Sequence, residues 1–465
     1  MVHKSQVPRS CDRCHASKER CSRPSAASKC ERCARLNFTC TLERNTKRPG
    51  RPLMSATTRR CRTSTHTPTP SPTLLATVED ISKSKAFDIS ASAAKLIACI
   101  GDNRVMGRYV IGPSFYETHR QYLVSTLCAA PQRLADSYLA AAACQYDDHY
   151  QPGGVSKDTN STKQEYIFAS SAVAALRTFT VRNVDDMRDC LVLGGHIVTF
   201  ALRLQVADSR SICQRTLDLI KPIYEDDVIM QSADPAVTGF LTSLVLTDVA
   251  ESLLCCQPPA LRYRKSLTNA PADRYVGIST GLLGLLYDLA VLSYEMSLDR
   301  SNARASHAHQ TAMLKLESLV SIWEPEMPQG FMSQYTPMEI SHMICQAEVL
   351  RTSALLILHH LRHPFRRQDP VAEAMSSQIL NLLTTTKSAT HSVPRCIDLA
   401  LAIACLQYAG QPRAADKMAQ LSPISGYSDI FLERSTAMLA AFNQAWGPSS
   451  EIYWYDLGRI FPLPQ

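Results

Sequence analysis

Near the amino end of this 465-residue chain lie Cys11, Cys14, Cys21, Cys30, Cys33 and Cys40. Their spacing is C-x2-C-x6-C-x8-C-x2-C-x6-C. The unit C-x2-C-x6-C therefore occurs twice at an offset of 19 residues, as CDRCHASKERC and CERCARLNFTC. A disulfide framework needs an oxidising compartment. The opening residues, Met1 to Ser10, lack the apolar run of a secretory signal, so an intracellular protein with reduced thiols is expected. Metal is the better reading of the cluster. Zinc takes four tetrahedral ligands, and thiolates suit it. One zinc would leave two cysteines idle, and two independent zincs would need eight ligands. Sharing two thiolates between two zinc ions closes the count. The internal repeat makes the equivalent first cysteines, Cys11 and Cys30, the shared pair. Modules of the RING, LIM or knuckle type need eight ligands or a single metal, and His15 cannot complete such a set.

Charge follows the same division. Residues 1–62 hold 16 Lys and Arg against 4 Asp and Glu, while the rest of the chain is mildly acidic, and the total is +7. A basic head on an acidic body suits a polyanion-binding head. Within the head, Arg13, Lys18, Arg20, Arg32 and Arg35 lie close enough in sequence to offset the net negative charge of six thiolates on two divalent ions. The other eleven of the 17 cysteines are scattered through apolar stretches and read as small buried hydrophobes.

Residues 8–45 resemble the fungal six-cysteine binuclear zinc-cluster DNA-binding domain. The full cysteine spacing carries the resemblance, and Cys-Asp-Arg-Cys followed by Lys18, Arg20 and Cys21 matches the recognition half. The resemblance implies one zinc on Cys11, Cys14, Cys21 and Cys30 and a second on Cys11, Cys30, Cys33 and Cys40. His15 and Ser17 stand where the family usually has basic residues. Pro24 lies early in the x8 loop, and Ser28 occupies the usual proline position. These departures touch phosphate contacts and loop shape, not the ligands.

Each C-x2-C is expected to open a short helix, with Asp12 and Glu31 in first turns where negative charge suits the helix dipole. The first helix ends in Ser17-Lys18-Glu19-Arg20 and the second in Leu36-Asn37-Phe38-Thr39, so only the first brings a cation to the major groove. Lysine can donate to the O6 and N7 acceptors of guanine. The family reads CGG-type triplets, which makes Lys18 the expected base reader. Arg20, Arg13, Arg9 and Lys29 are expected to hold phosphates and set register. Beyond them, Arg48-Pro49-Gly50-Arg51-Pro52 resembles an AT-hook core, which would place Arg48 and Arg51 in a minor groove. A phosphate-neutralising arm or a nuclear import signal are the other uses of such a run. Residues 55–73, rich in Ser, Thr and Pro, cannot build a core and read as a disordered linker.

From about residue 86 to 465 the pattern is helical, and 17 glycines in the whole chain speak against turn-dense β architecture. Thr336-Pro337-Met338-Glu339 forms a capping box with Pro at the first helical position. Ile340, Met343, Ile344, Ala347, Leu350, Ala354, Ile357 and Leu358 then share one face. His359, His360, Arg362 and His363 gather at the far end before Pro364, where cations suit the dipole; a metal site is the sharper but weaker reading. Segments 164–180, 235–254 and 371–385 are also periodic. No apolar run reaches the length that spans a bilayer, Asp288 interrupting the best candidate. Gly277-Ile-Ser279-Thr-Gly281 fits the hydrolase nucleophile elbow, but no strand signal precedes it, so a loop entering a helix near Leu282 is expected. Asp273-Arg-Tyr-Val-Gly277 and Leu217-Asp-Leu-Ile-Lys-Pro222 resemble pieces of the fungal-specific transcription-factor regulatory domain. The tail Glu451-Ile-Tyr-Trp-Tyr-Asp-Leu457 is expected to dock on the body rather than act as an activation segment.

The expected organisation is mostly all-α: a zinc-cluster domain at 8–45, a basic arm and disordered linker at 46–85, and an α-helical regulatory domain at 86–465. The resemblances imply a nuclear regulator of RNA polymerase II genes, an activator of the secondary-metabolite gene-cluster type, including the aflatoxin-pathway kind. Its partners would be double-stranded DNA and the transcription machinery, with two zinc ions as cofactor and no membrane. The family usually dimerises through a coiled coil, but residues 74–100 hold no sustained heptad, leaving a monomer or a homodimer through the body. The rival readings are a metabolite-sensing regulator or repressor with a ligand-binding helical body and, in another class, a serine hydrolase using Ser279.

Overall fold

The longest helix of the body, Pro337–Arg362, is set by its first turn. Thr336 Oγ1 accepts from the Glu339 amide at 3.3 Å, and the Glu339 carboxylate accepts from the Thr336 amide at 2.7 Å. The same carboxylate takes the amide of Ser114 at 2.8 Å and its hydroxyl at 2.7 Å. A helix cap thus becomes a tertiary clamp, with Glu339 fully buried but fully bonded. The expected apolar face is buried apart from Ile344, which is 43% exposed. Burial also extends to Gln346, Ser353 and His360, because helices Thr280–Leu298, His307–Ile322, Pro370–Thr390 and Asp398–Leu406 all pack on this one helix. A helix buried on most sides does not announce its faces by periodicity alone.

This computed structural model describes residues 10–18, 20–22, 29–42, 91–150, 159–204, 209–232, 235–264, 272–299, 307–366, 369–421, 428–446 and 451–461. The chain divides into two units, Met1–His66 and Thr67–Gln465. Arg9, Arg48, Arg51, the basic arm and the linker lie outside the described residues.

In the second unit the described residues are helical, with an isolated bridge between Asp273 and Gly277 and no strand. Segment 164–180 falls in helix Thr159–Thr178 up to its last two residues, which lie past the helix end, and 371–385 falls inside Pro370–Thr390. Segment 235–254 divides into a 3-10 turn, Pro235–Thr238, and the helix Leu241–Cys255. Helix Val184–Leu204 packs against Ser209–Tyr224 and Pro131–Tyr150, and the latter also against Thr159–Thr178. One continuous core of buried side chains joins these helices to the Pro337–Arg362 group.

Helix Thr280–Leu298 corrects the expectation about apolar length: by length and composition it could cross a bilayer. It instead packs against Leu241–Cys255, His307–Ile322 and Pro337–Arg362. Asp288, which interrupts it, forms a two-point ion pair with Arg262 at 2.8 Å.

The tail docks as expected. Trp454 is fully buried, its indole N–H donates to Leu253 O at 3.1 Å, and Phe365 N donates to Ile452 O at 2.7 Å. Of the scattered cysteines, eight are buried, Cys396 is half-buried and Cys61 lies outside the described residues. Cys128 departs from the expectation: it is exposed, near the solvent-facing end of helix Tyr116–Ala129.

Candidate metal centre and nucleic-acid face

The two cysteine units of the first body fold alike. Each C-x2-C opens a five-residue helix, Asp12–Ala16 and Glu31–Arg35, with an acid in the first turn. Such short helices are marginal alone. Sulfur caps them: Cys11 Sγ accepts from the Cys14 amide and Cys30 Sγ from the Cys33 amide, both at 3.4 Å. The third cysteine of each unit folds back on the first, Cys21 Sγ accepting from Cys11 N at 3.3 Å and Cys40 Sγ from Cys30 N at 3.4 Å.

Hydrogen bonds then exchange between the units. Asp12 N donates to Thr41 O and Glu31 N to Ser22 O, both at 3.0 Å. These pairs are equivalent under the 19-residue offset, so the body has an internal two-fold. The sulfurs obey it too. Cys11 Sγ lies 3.8 Å from Cys30 Sγ and 3.7 Å from Cys33 Sγ, and Cys14 Sγ lies 3.7 Å from Cys30 Sγ.

The sulfurs form two overlapping four-membered groups able to hold metal ions. One comprises Cys11, Cys14, Cys21 and Cys30; the other comprises Cys11, Cys30, Cys33 and Cys40. Cys11 and Cys30 belong to both. The edge of a tetrahedron with zinc–sulfur bonds of about 2.3 Å is about 3.8 Å, which matches the spacing of the sulfurs. The donor set also needs cations. Burial raises Cys11, but the Cys14 amide and the adjacent sulfurs outweigh it and bring the thiol down to about 6. Burial and the sulfurs of Cys11 and Cys30 push Cys14 up to about 11, and burial pushes Cys33 up as well. Thiols crowded this way cannot all ionise unless positive charge enters between them.

The two-fold breaks where each helix ends. Lys18 and Asn37, equivalent by the offset, both adopt the left-handed backbone conformation, with φ of 54° and 52°. Asparagine is at ease there; lysine is not. Lys18 is exposed, as are Arg20, Arg13 and Lys29. The Arg13 guanidinium lies 3.6 Å above the centre of the Phe38 ring, which joins the first helix to the end of the second. That stack was not legible in the sequence, because it pairs residues across the two-fold rather than along one unit. Arg32 reaches across to the exposed Ser17, its guanidinium donating to the hydroxyl at 2.9 Å.

The other candidate sites resolve differently. Gly277 closes a turn at φ +56°, in which Asp273 Oδ1 accepts from the amides of Tyr275 and Val276. Ser279 precedes the helix Thr280–Leu298; it is fully buried, its hydroxyl has no partner, and no strand leads into it. A nucleophile needs exposure and a base hydrogen-bonded to it, and among the described residues this serine has neither. At the end of Pro337–Arg362, His359 Nε2 bonds Asp369 Oδ2 at 2.7 Å, and His360 stacks on Phe365 with ring centres 3.7 Å apart. Among the described residues these histidines do not gather as a metal-holding group.

A family model described as the fungal specific transcription factor domain matches residues 103–430. No curated protein and no solved structure matches the chain.

Proposed function

Since the chain belongs to the fungal-specific transcription factor domain family, we propose that it is a nuclear, sequence-specific DNA-binding regulator whose amino-terminal body is a binuclear zinc cluster. Membership in that family supports a regulator of transcription and implies a protein that is not an enzyme. Cys11, Cys14, Cys21 and Cys30 would hold one zinc ion and Cys11, Cys30, Cys33 and Cys40 the other. The metal would supply structure only, neutralising six thiolates and fixing two short helices that cannot stand alone.

The observation that carries the reading is the pair of four-sulfur groups with Cys11 and Cys30 in common, set beside an exposed lysine in a strained conformation. Strain at one half of a two-fold, where the other half carries the relaxed residue, points to a functional demand on Lys18. Its amine would donate to guanine in CGG-type triplets, while Arg20, Arg13, Arg9 and Lys29 would hold phosphates. Arg13 is already braced on Phe38 for such a contact. Arg48 and Arg51 would follow into the minor groove. Activation of a secondary-metabolite gene cluster enters the proposal from the sequence resemblance and the close-set basic arm.

The test is binding of the full chain to labelled duplexes at fixed salt. The zinc-loaded protein should prefer a duplex carrying a CGG triplet over a scrambled one by at least tenfold. A strong zinc chelator should abolish binding, and added zinc should restore it. Equal binding to both duplexes, or binding indifferent to the chelator, would contradict the proposal.

A further inference from the structure

The helical body holds a partly open cavity of about 650 Å³, lined mainly by helices Val184–Leu204, Leu241–Cys255, Asp398–Leu406 and Ser428–Ala445, with Gln145 of helix Pro131–Tyr150 and Tyr275 of the turn before Thr280–Leu298 also on its wall. That volume lies within the range of small-molecule sites, about 300–1,000 Å³. Its wall is mainly apolar, including Val198, Leu202, Leu244, Leu254, Leu399 and Met438. Protein interiors do not ordinarily leave such space unfilled.

The wall also carries polar groups that the protein itself leaves unmatched. One wall carboxyl, Asp398, is half-buried; the loss of water around it raises it to about 6, outweighing its own backbone amide and the charge of Arg395, which favour ionisation. Gln145 Oε1, His196 Nε2 and Tyr275 Oη belong to buried side chains of the wall and have no hydrogen-bond partner among the described residues. Each such group leaves the desolvation of a buried polar atom uncompensated, and three of them around one cavity is an uncommon concentration. Burial holds His196 down to about 3, so its imidazole is neutral. Among the charged side chains of the wall, Arg108, Arg395 and Arg434 balance Asp398, Glu251 and Glu433. Arg434 is paired with Glu251 at 2.6 and 2.7 Å. A site of balanced charge with neutral donors and acceptors does not select an ion.

We infer that this cavity is a binding site for an uncharged, largely apolar small molecule of drug size that carries hydroxyl or carbonyl groups. The apolar wall takes the bulk of the ligand, and Asp398, Tyr275, Gln145 and His196 supply the polar contacts that orient it. The site lies wholly in the body and stands whether or not the amino-terminal cluster reads DNA.

Titration of the full chain with Nile red, a neutral apolar dye with one carbonyl, tests this. One dye should bind per chain, saturably and with blue-shifted emission, while the anionic dye anilinonaphthalene sulfonate should bind at least tenfold more weakly. Ala250, half-buried in the wall, points to the obstructing variant: Ala250→Phe should lower Nile red affinity at least tenfold. Tyr275→Phe removes only the unmatched hydroxyl. It should leave the melting temperature of the dye-free protein unchanged or higher, yet weaken the dye at least threefold. A purely structural role for that hydroxyl would instead lower the melting temperature and leave dye affinity alone. Absence of saturable binding, or binding that neither variant alters, would overturn the inference; should Ala250→Phe fail to fold, the Tyr275→Phe result decides alone.

Discussion

Lys18→Asn gives the first half of the cluster the residue its two-fold counterpart, Asn37, already carries. Both positions have left-handed backbones, with φ of 54° and 52°. That conformation costs a side-chain-bearing residue about 1–2 kcal/mol, with asparagine the common exception. Lys18 is exposed, so the exchange removes no packing. The zinc-loaded variant should therefore be as stable as the parent, or up to about 1 kcal/mol more stable. Its DNA binding should suffer in a specific way. A lysine donating to guanine is worth about 1–3 kcal/mol of discrimination, which is about a 5- to 150-fold loss in the affinity ratio between a CGG duplex and a scrambled one. Fluorescence anisotropy at several salt concentrations, with circular-dichroism melting alongside, reads both effects. Equal weakening on every sequence, with a salt slope reduced by about 0.9, would make Lys18 a phosphate contact. A marked loss of stability would refute the strain argument itself.

Three further outcomes follow from the body and the arm. Asp248 is fully buried, with Oδ2 accepting from Ala260 N at 2.7 Å and Oδ1 unmatched, and burial raises its carboxyl to about 6. The folded state thus holds this proton more tightly than the unfolded chain, so parent stability falls as pH rises through about 4 to 6. Asp248→Asn should gain on the parent by about 1–1.5 kcal/mol between pH 5 and pH 8 in urea unfolding; a constant gap would contradict the shift. Trp454→Ala should cost about 3–5 kcal/mol, because a fully buried indole that bonds Leu253 O leaves a large cavity. A cost below about 1 kcal/mol would mean the tail is not docked. Deleting residues 46–62 should weaken DNA binding and flatten its dependence on salt concentration; an unchanged slope would place the arm off the DNA.

The sequence was most informative where its constraints are local. The cysteine spacing and its 19-residue repeat already single out Cys11 and Cys30, and the structure brings those two sulfurs into both four-sulfur groups. The capping box at Thr336 was equally legible, since its partners are three residues apart. What escaped depends on distant packing. Glu339 also clamps Ser114, 225 residues away, which no local pattern encodes. Ile344 fits the apolar stripe yet is exposed, because neighbouring helices, not periodicity, decide which strip stays open. The left-handed backbone at Lys18 was hidden because lysine carries no signal for it, although the equivalent Asn37 does. The cavity was invisible because space between helices distant in sequence has no sequence signature.

Metal analysis of the reduced, purified full chain tests the central claim most directly. Two zinc ions per polypeptide, with Cys11→Ser lowering the content of both, would agree with thiolates held in common by two metal sites. A single zinc per chain, or a metal-free amino-terminal body that keeps its helices, would contradict the account.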